Sequence, residues 1–339
     1  MKYVNLFDIC SPKQWKTISG NDILKIGSYP VYGANGIIGF YDEYNHEEET
    51  LLVTCRGATC GTLNISVPKS YINGNAMALD NLSSSVNLKY LYYYLFLRGF
   101  DDVITGSAQP QITREGLKNV NKIPLPSLVT QKAIAEKLDK ADALRKKDQE
   151  LLKQYDELAQ SIFIDMFGDP VHNEKGWDLI NFEEVLKLKR GYDLPVQDRN
   201  QNGNIPVYGS NGILDYHTIS KTNKPCIVTG RSGTIGKVHR TEQNCWPLNT
   251  TLYSYEIYDN NITYLEYLLN NLRIDRFAHG AGVPTLDRKI VHKEFIPNIK
   301  VELQNQFAEK IKNIEAQKEL VKKQAEASEN LFQALLQES

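Results

Sequence analysis

The stretch YPVYGANGII, starting at Tyr29, recurs as IPVYGSNGIL, starting at Ile205, 176 positions later. The correspondence continues along the chain. NLFDIC at Asn5 matches NFEEVL at Asn181, again at 176, and VTCRGATCGTL at Val53 matches VTGRSGTIGKV at Val228, at 175. Asn75 matches Asn249, YLYYYL at Tyr90 matches YLEYLL at Tyr264, and GSAQPQITR at Gly106 matches GAGVPTLDR at Gly280, all at 174. IPLPSLVTQKAIAEKL at Ile123 matches IPNIKVELQNQFAEKI at Ile296, at 173. A chance turn does not hold register for that long, and a drift of three residues is what single changes in surface loops produce. The chain is an internal duplication, so whatever it folds into it must build twice.

Each copy has two parts. The first, residues 1–128 and 169–299, is rich in Gly, Asn, Tyr and short β-branched runs. TLLVTC at Thr50 and PCIVTG at Pro225 read as strands, and LKYLYYYLFLRGF at Leu88 and ITYLEYLLNNLRIDRF at Ile262 as helices. The second part begins after Pro126 and after Ile299, where Gly and Pro disappear. Apolar residues recur there at helical spacing: Ile134, Leu138, Ala141, Leu151, Tyr155, Leu158 and Ile162 in copy one, and Phe307, Ile311, Ile314, Val321, Leu331 and Leu335 in copy two. Two helices of roughly 55–60 Å follow at 1.5 Å per residue, the first ending at Gly168 and Pro170. A long amphipathic helix needs a partner for its stripe, and the other copy supplies one. The expected fold is α+β: two pseudo-symmetric α/β domains joined by two long antiparallel helices, a coiled-coil spacer with one globule at each end.

Hydrophobic residues make up 41% of the 339 and charged residues 24%, ordinary for a globular protein, and the formal net charge is −2. Residues 1–128 hold 11 basic and 11 acidic side chains and residues 169–299 hold 15 and 15, so neither copy shows the basic excess common in nucleic-acid binders. The five cysteines (Cys10, Cys55, Cys60, Cys226, Cys245) lack zinc-type spacing and read as reduced, packed thiols. MKYVNLFDIC is too polar for a signal peptide, and apolar clusters such as YLYYYLFL fall short of the ~18 residues of a membrane span. The expected location is the cytoplasm.

No catalytic constellation stands out. The chain has no phosphate loop, no H-E-x-x-H and no dinucleotide fingerprint, and its six histidines lack metal-ligand spacing. Two similar but non-identical globules on a rigid spacer suit a bipartite reader better than an enzyme. GSAQPQITREGLKNVNKIPLPSLVTQKAIAEKLDKADAL, followed by LAQSIFIDMFG, resembles the specificity subunit of type I restriction–modification systems, and the resemblance covers the whole chain. Its compound signature is the G-S-x-Q-P-x-I turn, I-P-x-P, then x-Q-x-x-I-A-x-x-L opening a long helix. Copy two departs at Val283 and Thr285, in place of Gln109 and Gln111, and at Asn298 and Ile299, in place of the second Pro. The resemblance implies target-recognition domains at 1–128 and 169–299, helical spacers at 129–168 and 300–339, and a non-catalytic subunit that binds double-stranded DNA. It also implies two methyltransferase subunits and two restriction/translocase subunits as partners. S-adenosylmethionine, ATP and Mg then belong to those partners, and this subunit has no cofactor.

Comparing the copies sorts candidate DNA-binding residues. Arg56 and Arg231 match, in glycine-rich loops with Thr59 and Thr234, and such a guanidinium can grip a phosphate, a contact blind to sequence. Positions that differ can read two half-sites: Gln109 and Gln111 against Val283 and Thr285, Ala34 against Ser210, and Thr62 against Lys237. The repeated turns add Tyr32 and Asn35 in copy one, and Tyr208 and Asn211 in copy two, while Gly33, Gly36, Gly209 and Gly212 shape the turns themselves. Half-sites about one helical turn apart, roughly 34 Å, fall within the span of the expected rod. The shared stripe further predicts that residues 1 to about 170 pair with a second copy of themselves. Two other readings fit the same features: a recognition module of another modification system, and a two-headed interaction protein that binds no DNA.

Overall fold

The computed structural model describes residues 2–34, 36–199, 203–280 and 284–338. Two compact units emerge, residues 1–149 with 324–339, and residues 150–323. The divisions fall inside two long helices, Leu128–Phe167 of 40 residues and Val301–Glu338 of 38. Each unit is therefore a mixed α/β globule plus part of both helices.

The first unit is built on an antiparallel four-stranded sheet in the order Ser11–Gln14, Ala76–Asp80, Leu51–Thr54, Leu63–Ile65. All four residues of Leu51–Thr54 are buried, as expected of an unbroken apolar run at the middle of a sheet. A second sheet joins the hairpin Tyr29–Gly33/Gly36–Tyr41 to Tyr71–Ile72, which runs parallel to Tyr29–Gly33. The helix Leu88–Arg98 packs over the core; Asn87 caps it by accepting from the Tyr90 amide, and Gly99 at φ 66 ends it. Leu6, Val53, Met77, Leu91, Leu95 and Ile112 meet in that core.

The second unit repeats the plan. Its four-stranded sheet runs Lys187–Arg190, Thr251–Glu256, Ile227–Gly230, Val238–Arg240, and its hairpin Ile205–Gly209/Gly212–His217 pairs in parallel with Trp246–Pro247. Both hairpins carry a register shift at the same point, between Val31 and Tyr32 and between Val207 and Tyr208. The expected helix from Ile262 to Phe277 is shorter: it ends at Asn271. The Asn270 and Asn271 side-chain amides donate to the carbonyls of Glu266 and Tyr267, and Arg273 turns left-handed at φ 52 before a short 3₁₀ turn.

Each long helix starts with the same anchor. Gln131 is fully buried; its amide donates to the Ser85 and Pro126 carbonyls, and its oxygen accepts from the Asn87 amide at 2.8 Å. Gln304, 173 residues later, donates to the Ile299 carbonyl and Asn260 and accepts from the Asn261 amide at 2.9 Å. The repeated Gln of the sequence signature thus ties the long helix to the cap residue of each domain's own helix.

Within each unit the two helical segments run antiparallel. In the first, Leu138 and Ala141 share a cluster with Phe332, Leu336 and Tyr93, while Asp148 meets Gln324 and Ser328. In the second, Asp156 pairs with Lys318, and Phe163 and Phe167 pack on Phe307 and Tyr264. The seam differs from the stripe read off the sequence. Leu158 is 47% exposed and Leu331 48%, whereas Ala159, Phe163, Phe167, Phe332 and Leu336 are buried. The steps 155–159–163–167 replace 155–158–162 because Tyr264 and Tyr93 of the globules pack on Phe163 and Phe332, which turns the seam one position on. The same displacement at the same offset occurs in both copies, as the duplication requires.

Candidate nucleic-acid interface

In each unit three short segments meet at the end of the main sheet. The first is the hairpin turn, with Gly36 at φ 84 and Gly212 at φ 116. The second is the glycine-rich loop that follows the central strand, and the third is a small ribbon, Ile104–Thr105/Gln111–Ile112 or Ala278–His279/Thr285–Leu286. In the first unit the Thr54 hydroxyl donates to the Ala34 carbonyl at 2.5 Å, the Gly57 amide to the Pro110 carbonyl, and the Ile112 amide to the Cys55 carbonyl. In the second unit the Lys237 ammonium donates to the Asn211 side chain at 2.6 Å and the Leu286 amide to the Arg231 carbonyl at 2.8 Å.

These contacts bring together most of the residues singled out above. Arg56, Thr59, Gln109 and Gln111 are exposed around one such surface, with Gln111 bridged to Arg56. Ser210, Asn211, Arg231, Thr234, Lys237 and Thr285 surround the other, with Thr285 bridged to Ser232. Asn35 and Val283 lie outside the described residues. Tyr32 and Tyr208 do not belong to the surface. They are 6% and 7% exposed; the Tyr32 hydroxyl accepts from the Val67 amide, and burial pushes the Tyr208 phenol up to about 12. Adjacent strand residues face opposite ways, and the bulge before each tyrosine turns it into the core.

Arg56 and Arg231, matched in sequence, do not occupy the same place. The ribbon amide bonds to Cys55 in the first unit and to Arg231 in the second, and the bridges pair Gln111 with Arg56 but Thr285 with Ser232. The left-handed glycines agree: Gly57 at φ 90 and Gly233 at φ 82 each lie two residues past that carbonyl, and the loop to Gly61 or Gly236 is one residue shorter in the second unit. Arg231 therefore stands where Cys55 stands, and Ser232 where Arg56 stands. A one-residue slip reverses the side a residue faces. Arg56 points out, whereas Arg231 is half-buried and donates to the Asn249 carbonyl at 3.2 Å.

His239, passed over in the sequence, lies beneath the second surface beside Gly212, with its ring 6.2 Å from that of Tyr208. Burial, with the Lys237 ammonium nearby, holds its imidazole below the ordinary value, and its buried Nε2 has no partner. Arg190 and Arg288, also passed over, line a cavity with Arg231. Comparing Arg190 with Gln14 at the same strand position would have flagged the first of them.

Among the described residues no three His, Cys, Asp or Glu side chains are placed to hold a metal ion, and no helix is long and apolar enough to cross a membrane. Two copies of one loop surface, each carrying its own polar side chains on a shared scaffold, define a duplicated recognition module. A family model described as the type I restriction modification DNA specificity domain matches residues 1–154 and again residues 174–329. The chain belongs to that family.

Among curated proteins, the type I restriction enzyme EcoprrI specificity subunit of Escherichia coli is 31% identical over 116 residues, 34% of this chain and 28% of that one. A putative type I restriction enzyme specificity subunit of Haemophilus influenzae is 31% identical over 121 residues, 35% of this chain and 31% of that one. The matched stretch thus spans less than a third of either relative. The S subunit of a type I restriction–modification system from M. genitalium shares the fold, with a TM-score of 0.68 and 18% identity over 99% of this chain and 94% of that one. So does a chain from a structural study of assembly and conformational transition in the type I system, with a TM-score of 0.54 and 16% identity over 99% and 96%.

Proposed function

We propose that this chain is the DNA-specificity subunit of a type I restriction–modification complex. It reads a bipartite, gapped target in double-stranded DNA, one half-site per domain. The recognition domains are residues 1–128 and 169–299, and residues 129–168 and 300–339 form the spacer that sets the gap. The carrying observation is the three-segment surface built twice on one scaffold with different outward side chains: Arg56, Gln109 and Gln111 in one, and Ser210, Lys237 and Thr285 in the other. Shared scaffold with divergent polar tips is what reading two sequences demands.

The chain works without a cofactor of its own, in the cytoplasm, beside two methyltransferase subunits that use S-adenosylmethionine and two restriction subunits that use ATP and Mg. With balanced charge in both domains, the partners supply much of the phosphate contact. Base-resolution methylation mapping of the host, with and without this gene, tests the reading. One gapped asymmetric motif is expected to lose methylation on deletion; an unchanged methylome refutes it.

A further inference from the structure

The second unit contains a cationic cavity lined by residues that the first unit largely replaces with neutral ones. It has a volume of about 350 Å³ and is lined by Arg190, Arg231, Arg288, His279, Thr285 and Asp287, among others. Among the described residues none of the three guanidiniums is ion-paired with a carboxylate. Arg231 is held from behind by the Asn249 carbonyl, and the one lining carboxylate, Asp287, accepts from the Lys289 amide. Three cations around one space repel each other until an anion joins them, and planar guanidiniums match phosphate oxygens in pairs.

The first unit disposes of the same positions differently. Cys55 stands in the place of Arg231 and Gln14 in that of Arg190; their side chains meet at 3.0 Å, and the Gln14 amide also donates to the Gly74 carbonyl. Thr105 replaces His279. Arg114, the counterpart of Arg288, donates to the Pro12 carbonyl and lies over the Phe7 ring. The slip that took Arg231 out of the place of Arg56 is what delivers it to this cavity.

We propose that the cavity of Arg190, Arg231 and Arg288 holds a backbone phosphate of the DNA, anchoring the second domain by a contact the first domain does not make. This rests on the DNA-reading function proposed above. The ribbon residue Thr285 borders the cavity, so a phosphate held there fixes the register of the neighbouring reading loops.

The test uses the full chain assembled with its methyltransferase subunit and a duplex containing the mapped target. Arg190→Gln, which copies the first unit, and Arg288→Gln are compared with wild type from 50 to 200 mM salt. Each lost contact is expected to lower the magnitude of the log–log salt slope by about one, which makes the affinity lost over that range about threefold smaller. The methylated motif stays the same, and the thermal midpoint does not fall, because neither arginine is ion-paired and removing one relieves repulsion between the guanidiniums. Wild-type slope and affinity in the double variant overturn the site. An altered motif overturns it too, since the arginines then read bases. A wild-type complex with no salt-dependent affinity for the duplex refutes the DNA-reading function itself.

Discussion

The Ser328 hydroxyl donates to the carboxylate of Asp148 at 2.6 Å, joining the two long helices inside the first unit. Gln324 donates to the other carboxylate oxygen at 2.6 Å. Asp148 is 1% exposed and Ser328 4%, so neither group has water to fall back on. Asp148→Ala strands the buried hydroxyl and opens a small void. The expected loss is about 2 kcal/mol by urea unfolding of the full chain. Ser328→Ala combined with Gln324→Leu leaves the carboxylate itself unpaired and is expected to cost more, about 3–5 kcal/mol.

The same contact bears on self-pairing of the first half. At the repeat offset, Leu151 and Tyr155 stand where Gln324 and Ser328 stand. A helix 128–167 paired with its own copy therefore sets Asp148 against a leucine and a tyrosine. The homodimer of residues 1 to about 170, expected from the shared stripe, is opposed at its centre by a buried charge. Asp148→Val, which copies Val321, is expected to tighten dimerisation of that fragment at least about tenfold, ~1.4 kcal/mol. Sedimentation equilibrium decides; equal association of the two fragments contradicts the prediction.

Arg240 holds three carboxylates in the second unit: Glu242 at 2.9 Å, Glu315 at 2.9 Å and Glu266 at 3.5 Å. Burial pushes the Glu266 carboxyl above its ordinary value, with Arg240 pulling it back and Glu315 adding to the rise. A raised carboxyl weakens the fold as pH climbs through the folded value, and costs nothing below the unfolded one. Arg240→Gln removes the opposing cation, so the expected deficit is about 3 kcal/mol at pH 7.5 and shrinks by pH 5. Denaturant midpoints at the two pH values measure it.

The divergent ribbon residues are expected to act on one half-site each. Gln111→Thr changes the methylated sequence of the first half-site and leaves the second intact, and Thr285→Gln does the reverse. Arg56→Ala weakens binding, lowers the salt slope by about one and keeps the motif. Methylation mapping and salt titration read the two effects separately.

The duplication, both long helices and the central strands were legible because they rest on periodicity and repeat register, which are local. The helix seam was not: Phe163 and Phe332 are buried by Tyr264 and Tyr93, which belong to the globules rather than to the helices. At the candidate site the glycine-rich loops were legible, but the equivalence of Arg56 and Arg231 was misleading. Sequence alignment places the gap before the arginine, whereas the hydrogen bonds of the ribbon place it after. The cavity was invisible for a related reason, since Arg190, Arg231 and Arg288 come from three separated segments.

Because the compact units divide inside the helices, the first unit is completed by residues 324–339, which are made only after the whole of residues 150–323. Tyr93, Leu138 and Ala141 wait for Phe332 and Leu336 while residues 150–323 are synthesised, roughly 10–35 s at about 5–20 residues per second. For that interval the nascent protein presents an open apolar seam, uncovered by Phe332 and Leu336. Until Gln324 and Ser328 are made, Asp148 has no partner across the seam, and its charge opposes closure of that helix on a sister copy.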